Sequence, residues 1–79
     1  MLDVRKSVIE IVAATGKVEE SSVNEETRLT EDLKLKSVDK ISISALLSSK
    51  AGATINMFEI LKIKTVGELI ALTEKKLAK

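Results

Sequence analysis

Ser37 has the clearest potential for chemistry in this chain, because it lies where a polar loop gives way to an amphipathic helix. A hydroxyl at this junction is exposed at the positive end of the helix, where backbone N–H groups and the helix dipole favour an anion. The serine oxygen is therefore placed to hold a phosphate diester. This pattern indicates a carrier of a phosphate-linked arm rather than an enzyme.

The composition argues against several other kinds of site. The 79 residues include no Cys and no His, so disulfides, thiolate metal sites and the usual neutral-pH general base are missing. Nothing in the chain activates Ser37 as a nucleophile, so we expect no catalytic activity. The three glycines are scattered and form no phosphate-cradling loop, and the single aromatic, Phe58, makes a base-stacking surface for nucleic acid implausible.

The length of 79 residues predicts a single domain over residues 1–79, which we expect to be a monomer. The net charge of +1 is unevenly spread, since residues 1–32 carry −4 and residues 33–64 carry +4. The chain has no long apolar run at its N-terminus. We therefore expect no signal peptide, no membrane span and a cytoplasmic location.

The elements around Ser37 follow from hydrophobic spacing. Residues 3–15 predict a helix with Asp3 as N-cap and Gly16 as its stop. Its apolar face consists of Val4, Val8, Ile11 and Val12. Residues 17–36 predict a long loop with a short turn near residues 30–33. The loop is expected to be held by Val18, Val23, Leu29, Leu33 and Leu35.

The second helix is predicted over residues 37–51 and is ended by Gly52. At about 100° per residue it has two apolar sides. One side carries Ile43, Leu46 and Leu47, and the opposite side carries Val38, Ile41 and Ala45. One side should face the core while the other is exposed or covered by a partner. The alternative, a helix buried on all sides, is disfavoured by the small size of the domain.

Two capping patterns predict the remaining helices. Asn56 with Glu59 caps a short helix over residues 57–62, and residues 65–68 form a capping box that opens the last helix. The inner face of that helix consists of Val66, Leu69, Ile70 and Leu77. The predicted fold is all-α, a small four-helix bundle with three longer helices, one short helix and a long loop after the first.

Four short motifs follow one another along the chain. Residues 31–33 (Glu-Asp-Leu) precede the serine, and residues 37–39 read Ser-Val-Asp. Gly52 ends the second helix, with Ile55 shortly after it, and residues 63–66 read Ile-Lys-Thr-Val. Their order and spacing resemble those of the acyl carrier proteins over nearly the whole chain. In that family an Asp-Ser-Leu-Asp motif contains the serine and Ile-x-Thr-Val opens the final helix.

The resemblance implies that a phosphopantetheinyl transferase attaches 4′-phosphopantetheine from coenzyme A to Ser37. The arm's thiol then carries acyl groups as thioesters for fatty-acid, polyketide or other specialised lipid synthesis. It also implies acyl-loading and acyl-transfer or condensing enzymes as partners. The expected lining of an acyl pocket is Ile43, Leu47, Ile55, Phe58, Leu61, Ile63 and Leu69, although these residues could also simply form the core. Their apolar character favours an alkyl cargo, whose identity the sequence leaves open.

The chain departs from the family around the second helix. Lys36 stands where the family has Asp, and Ser42, Ser48 and Ser49 stand where acids are common. We therefore predict a specialised carrier with dedicated partners, docking on the strip of Val38, Ile41 and Ala45. The predicted partner-binding residues are Lys36, Val38, Asp39, Lys40, Ile41 and Ala45. By default, the two lysines in that set are solvated surface charges.

Simpler interpretations of the same residues stay open. Ser37 can be only an N-cap, and Asp39 can be a plain first-turn acid rather than part of transferase recognition. The chain can also be a carrier fold that is never modified and acts as a protein-interaction module. A nucleic-acid binder that uses the basic middle segment is the weakest alternative, because that segment has few side chains able to read bases.

Overall fold

A computed structural model describes residues 3–77 of the chain. It contains four helices: α1 (Val4–Gly16), α2 (Ser37–Ala51), α3 (Met57–Lys62) and α4 (Val66–Leu77). A short 3-10 turn over Glu20–Ser22 interrupts the loop between α1 and α2. Residues 3–77 contain no β-strand beyond one isolated bridge. The predicted all-α fold, with three longer helices and one short helix, is confirmed.

The core lies where α1 and α4 pack against each other and α1 packs against α2. Val8, Val12, Ile43, Leu47 and Leu69 are completely buried. Burial of large aliphatic side chains supplies most of the stabilisation of a domain of this size. The helices therefore hold their positions mainly through this shared apolar layer.

The two sides of α2 are clearly different. Ile43 and Leu47 are completely buried, whereas Val38 is 63% exposed, and Ile41 and Ala45 are also exposed. One side of the helix therefore faces the core and the other is exposed, so the alternative of a helix buried on all sides is wrong. Its bounds and its end at Gly52, where φ is 76°, agree with the prediction.

The end of α1 differs from the prediction by one residue. The Asp3 carboxylate caps the start by accepting the Lys6 N–H at 3.1 Å, as expected. Gly16, however, is the last residue of the helix, and the left-handed conformation falls on Lys17 (φ 57°). The Lys17 N–H donates to the carbonyl oxygen of Ala14, so backbone hydrogen bonding stabilises a conformation that a non-glycine residue seldom adopts.

The long loop after α1 is held by backbone pairing with the segment that enters α4. The N–H of Leu29 donates to the Lys64 carbonyl, and the N–H of Val66 donates to the Thr27 carbonyl, both at 2.9 Å. Leu29 is completely buried beneath this pairing. The loop is therefore an ordered part of the fold, as its apolar residues predicted.

Four of the five apolar residues expected to hold the loop are wholly or partly buried: Val23, Leu29, Leu33 and Leu35. Val18 is 38% exposed, so its predicted role is wrong. Its N–H still donates to the Ala13 carbonyl at 3.0 Å, which keeps it at the end of α1, away from the buried part of the loop.

The predicted turn near residues 30–33 is confirmed and is fixed by Arg28. The N–H groups of Asp32 and Leu33 both donate to the Arg28 carbonyl. The Asp32 carboxylate accepts the Arg28 N–H at 2.8 Å and its guanidinium at 3.1 Å. Hydrogen bonds from Arg28 lower the pKa of Asp32. This turn brings the chain to the start of α2.

The capping box predicted at the start of α4 is present. The Glu68 N–H donates to the Thr65 hydroxyl at 3.2 Å, and the Thr65 N–H donates to the Glu68 carboxylate at 3.1 Å. The Lys64 N–H reaches the same carboxylate oxygen at 2.9 Å. Because these backbone donors favour the ionised carboxylate, they lower the pKa of Glu68.

The inner face of α4 is close to the predicted one. Val66, Leu69 and Ile70 are buried, and Leu77 is partly buried. Thr73 completes this face without having been predicted. Thr73 is completely buried, and its hydroxyl donates to the Leu69 carbonyl at 2.7 Å, so the polar group is satisfied inside the core.

Replacing Thr65 by alanine should lower the free energy of unfolding by about 1 kcal/mol, because α4 then loses its side-chain cap. Urea denaturation measures the change. Thr54→Ala is the matched control, since Thr54 is exposed and its side chain forms no hydrogen bond within residues 3–77. Equal stability of the two variants would contradict the cap.

The ionised Glu68 carboxylate should make stability depend on pH. Its folded-state pKa is lowered, so its contribution is complete at neutral pH and is lost as the pH falls below about 4. The difference in urea midpoint between the wild type and Glu68→Gln should therefore be largest at pH 7 and shrink at pH 3. Glu74→Gln, at an exposed site of the same helix, should show little change at either pH.

Candidate functional site

Ser37 is the first residue of α2 and is exposed. The preceding residue, Lys36, occupies the N-cap position with an extended backbone (φ −96°, ψ 173°). The Ser37 hydroxyl forms no hydrogen bond within the part of the chain that the structure describes. The interpretation of Ser37 as an ordinary N-cap is therefore wrong, and its oxygen is accessible at the helix start.

Asp39 forms a side-chain contact at the start of α2. Its carboxylate accepts the Lys36 N–H at 2.9 Å. This contact fixes the N-cap residue. The free N–H groups of the first helical turn have no side-chain acceptor within residues 3–77, because a lysine at residue 36 cannot accept them. A role for Asp39 in transferase recognition stays a prediction.

The chain just before Ser37 is firmly anchored. Leu35 is buried, and its N–H donates to the Leu29 carbonyl at 3.0 Å. Lys34 adopts a left-handed conformation (φ 60°) that turns the backbone between the Arg28 turn and this anchor. Ser37 thus projects from a helix start whose position is fixed on both sides.

Apolar side chains on α2 and α3 remain exposed. Val38 and Ile41 lie on α2, and Met57 and Phe58 lie on α3, which packs beside α2. Phe58 is 76% exposed, so its predicted place in the lining of an acyl pocket is wrong. The short α3 buries Ile60, and Phe58 lies about 200° away from it around the helix axis.

A groove of about 540 Å³ opens between the first turn of α2, the Arg28 turn and the segment that joins α3 to α4. It is lined by Arg28, Thr30, Glu31, Lys40, Leu61, Lys62, Ile63, Lys64 and Thr65. Of the predicted acyl-pocket residues, only Leu61 and Ile63 border it. The other buried members of that set belong to the core, as the simpler interpretation held: Ile43, Leu47, Ile55 and Leu69.

Lys40 is the largest departure from expectation among the predicted site residues. It is only 9% exposed, and its ammonium donates to the Ile63 carbonyl at 3.2 Å. The prediction of a solvated lysine is wrong for Lys40, whereas Lys36 is exposed as expected. Lys40 precedes the buried Ile43 by three residues and so lies on the inward side of α2. Helical spacing is the signal that could have shown this.

Arg28 is a site residue that sequence reasoning missed. Its guanidinium pairs with Glu31 and Asp32, and it lines the groove. The signal that could have identified it is the position of Glu31 and Asp32, three and four residues after Arg28. The Glu31-Asp32 part of the motif thus has a visible structural purpose, since it closes the turn before α2.

Known proteins similar to this chain are acyl carrier proteins. The chain is 32% identical over 75 residues to the acyl carrier protein of Thermotoga maritima, covering 95% of this chain and 93% of the relative. It is 33% identical over 72 residues to that of Petrotoga mobilis, covering 91% and 85%. No protein-family model matches the sequence. The chain belongs to the acyl carrier protein family.

Two further structural findings concern residues 3–77. None of their helices combines the length and the apolar character needed to cross a membrane. No group of three or more of their acidic side chains is arranged to hold a metal ion.

Proposed function

We propose that the chain acts in the cytoplasm as an acyl carrier whose Ser37 bears 4′-phosphopantetheine. The observation that carries this proposal is the exposed Ser37 hydroxyl, free of hydrogen bonds within residues 3–77, at the start of α2 in a member of this family. The arm, when bound, supplies a terminal thiol that holds acyl groups as thioesters. The chain itself supplies the attachment point for the arm, the surface that partner enzymes recognise and protection of the acyl group.

The attachment reaction needs only the Ser37 hydroxyl from this chain. The oxygen forms a bond to the β-phosphorus of coenzyme A, the phosphoanhydride bond breaks, and 3′,5′-ADP leaves with the electron pair. The hydroxyl proton passes to a base that the transferase supplies.

The surroundings of Ser37 suit a phosphate diester. The first turn of α2 presents free backbone N–H groups, and the dipole of this 15-residue helix favours a negative charge. The exposed Lys36 beside it can pair with the phosphate once it is attached. Because the Asp39 carboxylate holds the Lys36 N–H, the fold accommodates a lysine at residue 36.

The docking strip of Val38, Ile41 and Ala45 supports the partner side of the proposal. It is exposed on α2, adjacent to Ser37 along the chain. The proposed partners are the transferase and the acyl-loading, acyl-transfer or condensing enzymes of fatty-acid, polyketide or other specialised lipid synthesis. The serines and lysines of α2 fit partner surfaces that are not strongly basic.

The first test is intact mass after incubation with coenzyme A and several phosphopantetheinyl transferases. The wild type should gain one phosphopantetheine, and Ser37→Ala should gain none, because the accepting oxygen is removed. Ser48→Ala, at another exposed serine of α2, is the matched control and should be modified like the wild type.

An unmodified wild type with every transferase would overturn the proposal. The chain would then be better described as a protein-interaction module that uses the same docking strip. Modification that persists in Ser37→Ala would place the arm on another residue and would refute the assignment of the site.

Docking on the strip is tested by Ile41→Lys, which puts a charge in its centre. We expect the kcat/KM of the modifying transferase to fall roughly tenfold, the equivalent of about 1.4 kcal/mol of lost contact. Ala71→Lys adds the same charge at an exposed position of α4, away from the strip, and should have a much smaller effect. An unchanged rate for Ile41→Lys would exclude the strip as the docking centre.

A further inference from the structure

The groove beside α2 has an unbalanced charge. Four basic side chains line it, but only one acidic side chain, Glu31. Arg28 is already paired with Glu31 and Asp32. The positive charges that remain belong to Lys40, Lys62 and Lys64. None of these three lysines takes part in an ion pair within residues 3–77.

Lys40 is the most informative of these charges because it is buried. An ammonium group can donate three hydrogen bonds, and Lys40 donates a single one, to the Ile63 carbonyl, within the described chain. A charge removed from water is costly unless it is paired and hydrogen-bonded. The ammonium therefore has unused donors at a wall of the groove, where an anion would stabilise it.

The rest of the groove suits a short carbon chain. Leu61 and Ile63 provide apolar surface, and the volume of about 540 Å³ lies within the range of small-molecule sites, roughly 300 to 1,000 Å³. Ser37 itself is not part of the lining. An anion at the end of a short carbon chain would meet the lysines while its carbons lie on Leu61 and Ile63.

We propose that the groove binds acyl cargo that ends in a carboxylate, and that Lys40 determines this specificity by donating hydrogen bonds to it. The inference rests on the proposed carrier function and names the class of its cargo. It replaces the expectation of a plain alkyl chain, which assumed an apolar lining. Lys62 and Lys64 add exposed positive charge at the same groove.

The test compares two soluble thioesters that differ only at the far end. S-adipoyl pantetheine and S-hexanoyl pantetheine both carry six-carbon acyl groups, but only the first ends in a carboxylate. Each is titrated into the unmodified full chain while backbone amide shifts are followed by NMR. Neither compound contains phosphate. Because the two differ only in their terminal group, a difference in affinity is due to the carboxylate.

We expect saturable shifts at Lys40 and at residues 61–65, with the adipoyl compound binding about tenfold more tightly. Lys40→Met, which retains the length of the side chain without its charge, should remove that preference. Lys50→Met, at an exposed position of α2 outside the groove, should preserve it. Equal affinity for the two thioesters, or no saturable shift with either, would overturn the proposal.

The comparison of the two thioesters on the wild type needs no variant, so it stands even if Lys40→Met fails to fold. If that variant is folded and still prefers the adipoyl compound, Lys40 is not the determinant. The mass measurement on Ser37 is independent of this titration. If the chain is modified at Ser37 but the groove does not prefer the carboxylate, only the cargo class is refuted. If the groove prefers the carboxylate but the chain is never modified, only the carrier function is refuted.

Discussion

The antiparallel pairing between residues 27–29 and residues 64–66 is the constraint on which the site depends. It joins the loop before α2 to the segment before α4 through two backbone hydrogen bonds of 2.9 Å over the buried Leu29. The same pairing brings the Arg28 turn and the end of α3 to opposite sides of one groove. Without it, the loop could not deliver Ser37 to a fixed place at the start of α2.

The exposed Ser37 hydroxyl is a consequence of how the first turn of α2 is capped. At such a junction a serine hydroxyl commonly accepts a hydrogen bond from a backbone N–H. Here Lys36 occupies the N-cap position, so Ser37 lies one residue inside the helix, and the Asp39 carboxylate accepts the Lys36 N–H. The contact that fixes the helix start therefore involves Asp39 and leaves the Ser37 hydroxyl available.

Local patterns predicted the elements well and the groove poorly, for physical reasons. The bounds of α2 and α3 follow from Gly52 and from the Asn56 cap, which act within a few residues. The groove forms where residues 28–31 meet residues 61–65, a contact between distant segments that periodicity does not report. The apolar character of Phe58 suggests a place in the pocket lining. However, a six-residue helix with one buried side cannot bury every apolar side chain that it carries.

Phe58 has a practical consequence for work on this protein in solution. It is the single aromatic side chain of the chain, and it is 76% exposed on α3. Its ring protons are therefore the only aromatic side-chain resonances of the chain, and after amide exchange in D2O they can be observed without an isotope label. A partner that covers this part of α3 would shift them, so a one-dimensional spectrum can report contact at Phe58 itself.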